Sequence, residues 1–371
     1  MIGSTQTLPP PAIEQPAPRQ VSYGLVTGRA ARGSTHINVY ANGKKLASRP
    51  LAGRRFSLRV ALPVGDVTVR VTTSARGGRR SSAHVHEVFG LPSGARPHAV
   101  AAHEDAALAR KIAPLARSFS GTTGVYVQSL TGGGGAAWNA RAQFPGASTM
   151  KLAIAAAVLA RHTGIPAPES QVSSLLSSML TQSDNASANA LEVWLAGSTS
   201  GGSRRVNELM RSIGMRDSEM YGGYELRTLA SRIPVRVEQQ PAYGYGKHTT
   251  AWDIATLLRA VWLASGGAGP LRAEQPGFTA ADGRYLLWLL AHVSDVPKLD
   301  RVRAGNPGVV VMHKAGWVNE ARHDSGLVFW RGGVFVASVM TWSSRGVGVS
   351  ADVLAGRVAA RALEWFRRVE G

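Results

Sequence analysis

Near residue 97 the hydrophobic periodicity of this chain changes from two to about 3.6, and no one layer of secondary structure accommodates both patterns. Before the change, short alternating runs at 21–26, 36–40, 56–62, 67–73 and 83–89 are separated by turn signals such as Asn42-Gly43 and Gly65-Asp66. They predict a small all-β sandwich over residues 21–95. After it, apolar stripes at helical spacing predict helices over 103–118, 149–162, 169–181, 186–195, 204–213, 250–265, 281–293 and 351–368. Strands are expected at 124–130, 136–139, 309–314, 325–330 and 334–342, with Gly132 to Gly135 as a hairpin turn. Strands at both ends with helices between them predict an α/β (α+β) domain over 98–371: one antiparallel sheet assembled from distant segments, with a helical lobe inserted. Residues 1–20, carrying Pro9, Pro10, Pro11, Pro16 and Pro18, are expected to be a Pro-rich tether.

Composition narrows the function classes. With 371 residues, 44% hydrophobic and 18% charged, the chain is long enough for two packed cores and too apolar for wholesale disorder. Cysteine is absent, which excludes disulfide staples, thiolate metal sites and a cysteine nucleophile. The formal charge is +19, and residues 1–98 carry net +11 of it, from 14 Lys/Arg against 3 Asp/Glu. Such a field attracts anionic polymers and membrane surfaces. A nucleic-acid binder would also explain the charge, but no RNP-like, helix-turn-helix or zinc signature accompanies it.

Three short segments carry chemistry. In Phe144-Pro-Gly-Ala-Ser148-Thr-Met-Lys151 a serine stands at the start of a strong helix with a lysine three residues on, on the same face. A serine hydroxyl needs a base to become a nucleophile, and a lysine serves when burial or neighbouring cations depress its pKa. Ser183-Asp184-Asn185 stands at a helix junction, where it also suits an ordinary N-cap. His313-Lys314-Ala315-Gly316-Trp317 ends an apolar strand, where a lysine is otherwise a solvated edge charge. By composition S-x-x-K arises about 0.6 times by chance in this chain and S-D-N about 0.02 times, so the ordered trio carries the information rather than any one member.

In this order the three resemble the S-x-x-K, S-D-N and K-T-G elements of class A β-lactamases and penicillin-binding proteins. The resemblance spans roughly residues 100–371 and includes Gly124-Val-Tyr-Val-Gln-Ser-Leu, Thr249-Thr-Ala-Trp-Asp-Ile-Ala and Arg322-His-Asp-Ser-Gly-Leu-Val. It implies that Ser148 is acylated, Lys151 is its base and Ser183 passes a proton to the leaving nitrogen. Asn185 would hold Lys151 and the substrate amide, with Asp184 buttressing the turn. Lys314 would supply positive charge, and the backbone N–H groups of Ser148 and Trp317, beyond Gly316, would form the oxyanion hole. No cofactor or metal is implied. The substrate would be a β-lactam or, alternatively, a D-Ala-D-Ala peptide of peptidoglycan. A catalytically silent wall-binding protein with the same fold is the alternative of another class.

The pattern departs from the family in three places. Only 35 residues separate Ser148 from Ser183, which shortens one wall of the cleft. Ala315 stands where a hydroxyl residue is usual and removes a donor. The glutamate that activates the deacylating water has no match in its usual context; Glu225 is the nearest candidate and Glu219 the next, so slow deacylation is expected. The family also implies an extracytoplasmic protein whose leader is absent from this chain. The strand pattern around Tyr40-Ala-Asn-Gly-Lys resembles bacterial immunoglobulin-like domains, and the basic N-terminal part is expected to bind an anionic cell-wall polymer or lipid surface. Within it the pairs Arg54-Arg55 and Arg79-Arg80 are candidate anion contacts. His84 and His86 share a strand face but lack a third ligand, and His313 and His323 are expected to be packing residues.

Overall fold

The computed structural model describes residues 8–224 and 246–370, which fall into two compact units divided between Arg96 and Pro97. In the first unit, Ala12–Gln15, Leu25–Arg29 and Arg55–Arg59 form a three-stranded antiparallel sheet with Leu25–Arg29 central. Gln20–Ser22, Arg80–Gly90, Gly65–Ala75, Ser34–Ala41 and Lys44–Pro50 form a five-stranded sheet in that spatial order. Only its first pair is parallel. Period-two patterning explains the packing: along Gly65–Ala75 the side chains of Val67, Val69, Val71, Thr73 and Ala75 are buried, and their alternates are not. Val26 and Phe56 of the small sheet share one core with Ile37, Val39, Val69, Val71 and Val88 of the large one. Each fully buried valine contributes about 1.5–3 kcal/mol, so a sandwich of this size holds without disulfides.

The expected tether is corrected from Leu8 onward. Leu8 is buried, Ala12–Gln15 pairs with Leu25–Arg29, and Gln20–Ser22 joins the large sheet. The prolines are compatible with this because Ala12–Gln15 is an edge strand flanked by Pro11 and Pro16, where no ladder N–H is required. His84 and His86 stack with ring centroids 6.1 Å apart. Among the described residues no group of three metal-ligating side chains is assembled.

The second unit is built on a six-stranded sheet in the order Val310–Val318, Ala321–Trp330, Gly333–Trp342, Thr122–Ser129, Gly134–Trp138 and His103–Glu104. All neighbours are antiparallel except the last pair, a short parallel addition that corrects the expected all-antiparallel sheet. Gly134 and Gly135 belong to a strand rather than the hairpin turn, and a Cβ on Gly135 would lie 2.6 Å from the Val127 carbonyl oxygen. Helices Ala106–Arg117 and Val349–Glu370 bury Leu108, Ile112, Leu354, Val358 and Phe366 against Val125, Val127, Phe335 and Val339 of the sheet. Helix Ala251–Ser265 packs on the sheet as well.

At the centre of the helical lobe is Lys151–Arg161, whose residues from Lys151 to Leu159 are all buried, as befits a helix apolar on every side. Around it pack Gln171–Thr181, Asn185–Ala196, Thr199–Ser212 and Ala280–Ala291. Thr199–Ser212 starts five residues earlier than its pattern predicts, because Gly201 and Gly202 disguise the first turn. A Cβ on Gly202 would meet Glu192 at 2.5 Å, so the helix crossing itself requires the glycine. Among the described residues no helix is long and apolar enough to cross a membrane.

Candidate active site

The nucleophile segment enters through a two-residue strand, Phe144–Pro145, paired with His248–Thr249. Ala147 then takes φ +43°, a left-handed turn that alanine adopts only under tertiary constraint, and Ser148 sits in the single 3₁₀ turn Ala147–Met150 leading into the central helix. Two long-range contacts hold this turn. Gly146 N–H donates to the Lys247 carbonyl at 2.7 Å, and His323 Nε2 donates to the Pro145 carbonyl at 2.8 Å. His323 Nδ1 accepts from Thr341 N–H, so the ring is a neutral tautomer; burial lowers its pKa to about 4.

Gly316 closes the site from the sheet side. A Cβ there would lie 2.8 Å from both the Ser148 and Thr149 backbone nitrogens and 3.1 Å from the Ala147 Cβ. Only glycine allows the strand to approach the nucleophile's backbone so closely. Trp317 follows with its side chain 65% exposed, while Ala315 is buried.

Lys151, fully buried, donates from Nζ to the Ser183 carbonyl, to Asn185 Oδ1 at 2.6 Å and to Ser183 Oγ at 3.5 Å. Lys314 Nζ donates to Ser183 Oγ at 3.0 Å and to the Ala315 carbonyl at 3.2 Å. Ser183 is thus placed between the two lysines, with its backbone at φ +60°. Asp184, next in the chain, caps the following helix by accepting from Ser187 N–H at 2.7 Å and Ser187 Oγ at 2.5 Å. Burial, then the Lys314 charge, hold Lys151 well below the ordinary lysine pKa against the pull of Asp184, with Lys247 adding to the depression. Burial lowers Lys314 to about 8, opposed by Asp295 and Asp324. The arrangement therefore sets a lysine amine of depressed basicity one helical turn from Ser148, and a second lysine beside the Ser183 hydroxyl.

Behind Lys314, His313 Nδ1 meets both Asp324 carboxylate oxygens at 2.8 and 2.9 Å, and Leu299 N–H donates to Asp324 Oδ2 at 2.9 Å. Burial works against the charge on each partner, yet the pairing raises the His313 pKa and lowers that of Asp324.

Ser148, Lys151, Ser183, Asn185, Lys314, Ala315, Gly316 and Trp317 therefore lie in two facing segments and a connecting turn. Glu225 lies outside the described residues. Glu219 pairs through its backbone with His248, the neighbour of Lys247. The sequence reading missed Tyr224, Asn189 and Lys247. Asn189 clamps Tyr224 from both sides, accepting its N–H at 2.6 Å and donating to its carbonyl at 2.9 Å. Its position four residues after Asn185, on the same helix face, is the signal that points to it. The Tyr224 ring lies 4.7 Å from Lys151 Nζ and 4.5 Å from Lys247 Nζ.

A five-helix lobe against this sheet, with serine and lysine at one helix start, a hydroxyl bridged between two buried lysines and a glycine strand over the nucleophile, defines a β-lactamase-like protein. The model of the Beta-lactamase enzyme family matches residues 107–163 and 165–366, and the chain belongs to that family. Among solved structures, PBP-A superposes with a TM-score of 0.55 at 19% identity, over 73% of this chain and 100% of that one. A class A β-lactamase from Mycobacterium abscessus gives 0.53 at 20% identity, over 70% and 99%. A β-lactamase from Sphaerobacter thermophilus DSM 20745 gives 0.53 at 19%, over 71% and 98%. At such identities the likeness is one of fold. No curated protein matches the sequence.

Proposed function

We propose that the chain is a serine acyl-enzyme hydrolase that opens β-lactams at Ser148 and releases the acyl group slowly. The observation that carries this reading is the placement of Ser183 Oγ between Lys314 Nζ at 3.0 Å and Lys151 Nζ at 3.5 Å. Neutral Lys151 takes the Ser148 hydroxyl proton as Oγ attacks the carbonyl carbon. The backbone N–H groups of Ser148 and Trp317 stabilise the oxyanion. Ser183 gives its proton to the departing nitrogen and takes one back from Lys151, which held the Ser148 proton, while Lys314 keeps its charge. Slow release is supported by Tyr224, which sets an aromatic ring rather than a carboxylate 4.7 Å from Lys151 Nζ. Burial, reinforced by the Glu192 charge, raises the Tyr224 pKa well above 10, which leaves the phenol unable to serve as a base. Glu225, next in sequence, is the proposed source of what deacylation there is.

The same acylation chemistry suits a peptide ending in D-Ala-D-Ala. What favours this second reading is the exposed Trp317 side chain beside Gly316, a surface for a longer acyl chain. Either substrate places the protein outside the cytoplasm, with the basic first unit holding it on anionic wall polymer or lipid. Timed intact-mass spectrometry after mixing with a fluorescent penicillin tests the reading. A stoichiometric adduct on the Ser148 peptide that outlasts the substrate supports it; no adduct removes it.

A further inference from the structure

Lys247 is a buried lysine that the acylation steps above do not use. Its Nζ donates to the Gly223 carbonyl at 2.6 Å and lies 4.5 Å from the centre of the Tyr224 ring, whose other cationic neighbour is Lys151 at 4.7 Å. Its own carbonyl accepts from Gly146 N–H at 2.7 Å, two residues before Ser148. The Tyr224 hydroxyl in turn donates to the Ala147 carbonyl at 3.3 Å. One residue thus holds both the ring that covers Lys151 and the turn that presents the nucleophile.

Resting on the acyl-enzyme reading, we propose that Lys247 is a positioning residue for acylation: it fixes the Tyr224 ring over Lys151 and ties that ring to the Gly146–Ser148 turn. Two physical effects follow. Tyr224 keeps water from the Lys151 amine, and desolvation is the largest influence holding that amine neutral. The Lys247 ammonium adds like-charge repulsion in the same direction. The groups facing Lys151 are Lys314, Asp184, Lys247 and the Tyr224 ring. Those facing Lys247 are Glu192, Lys151 and Tyr224, with Glu192 sustaining its charge while burial lowers its pKa to about 8. Removing Lys247 lets water in and removes a cation, and both changes raise the pH at which Lys151 becomes a base.

The test uses the full chain labelled with [ε-13C]lysine, which has seven lysines, alongside single-turnover acylation by a fluorescent penicillin across pH. In Lys247→Met the Lys151 titration and the acid limb of acylation are expected to move together to higher pH, with acylation at pH 7 falling about tenfold. Lys247→Arg, which keeps a cation able to stack on the ring, is expected to restore most of the rate. An unmoved Lys151 titration in Lys247→Met, or an arginine variant as impaired as the methionine one, overturns the proposal. Should Lys247→Met not fold, Tyr224→Ala is read the same way, because it uncovers Lys151 directly; an unmoved titration there is equally fatal. Wild-type protein that takes no label defeats the acyl-enzyme reading, while the titration still decides whether Lys247 acts on Lys151.

Discussion

Lys314 Nζ and Ser183 Oγ lie 3.0 Å apart although 131 residues separate them in the chain. The contact joins the edge strand of the sheet to the start of a lobe helix and makes one hydroxyl the meeting point of two lysines. Because both lysines are buried, their charges act through protein rather than water, where screening is weak.

Ser148 is expected to be the sole acylation site, since it alone combines the 3₁₀ turn at the helix start with a lysine one turn on. Ser148→Ala should abolish covalent labelling by penicillin without changing the thermal midpoint by more than a few degrees. Peptide mapping that finds label on another serine would falsify the assignment.

The acylation efficiency should pass through a maximum with pH. On the acid side it rises as Lys151 loses its proton. On the alkaline side it falls near pH 8 as Lys314 becomes neutral and no longer attracts a carboxylate. Lys314→Arg keeps its charge and should carry the alkaline limb upward, whereas Lys314→Ala should lower the rate at least about 100-fold and flatten that limb. The stability sign follows from the same shift. Lys314 titrates near 8 when folded and at about 10.4 when unfolded, so the unfolded chain binds more protons between these values. The penalty is complete below pH 8 and is relieved as pH rises toward 10.4. Denaturant titrations of wild type against Lys314→Met should show their stability difference shifting in the methionine variant's favour on going from pH 10 to pH 7.

Gly316→Ala should cost both stability and acylation. Its Cβ would stand 2.8 Å from two backbone nitrogens, which cannot swing aside as a side chain would. Overpacking of this kind costs about 1–3 kcal/mol. Wild-type labelling rates in this variant would mean that the strand and the nucleophile turn part easily.

Steady-state hydrolysis of a chromogenic cephalosporin should be slow beside rapid acylation. Fast turnover that collapses in Glu225→Gln, with adduct accumulating, would assign an efficient deacylating base to Glu225 and remove the proposed role of the Tyr224 ring.

Retention on purified cell walls should depend on the first unit's charge. The full-length double variants Arg54→Glu/Arg55→Glu and Arg79→Glu/Arg80→Glu should elute at lower salt than wild type, since exposed charges act over a Debye length of about 8 Å at physiological ionic strength. Acylation of a small β-lactam should be unaltered. Equal elution would leave the sandwich without this role.

What the sequence by itself determined are relationships set by chain geometry. Ser148 and Lys151 share a helix face because three residues make most of a turn, and Asp184 caps its helix because a carboxylate reaches the N–H groups two and three residues on. Alternation in Gly65–Ala75 and the wholly apolar run after Lys151 likewise declare a half-buried strand and a central helix. The tertiary structure alone decided what faces these residues. His323 reaches the Pro145 carbonyl across 178 residues, Tyr224 the Ala147 carbonyl across 77, and Lys247 lies against a ring 23 positions earlier. Gly316 and Gly202 look like breakers in one dimension and are contact points in three. Periodicity reports which way a side chain points from its own element; which group it meets there depends on how elements distant in sequence pack, and that is a property of the whole fold.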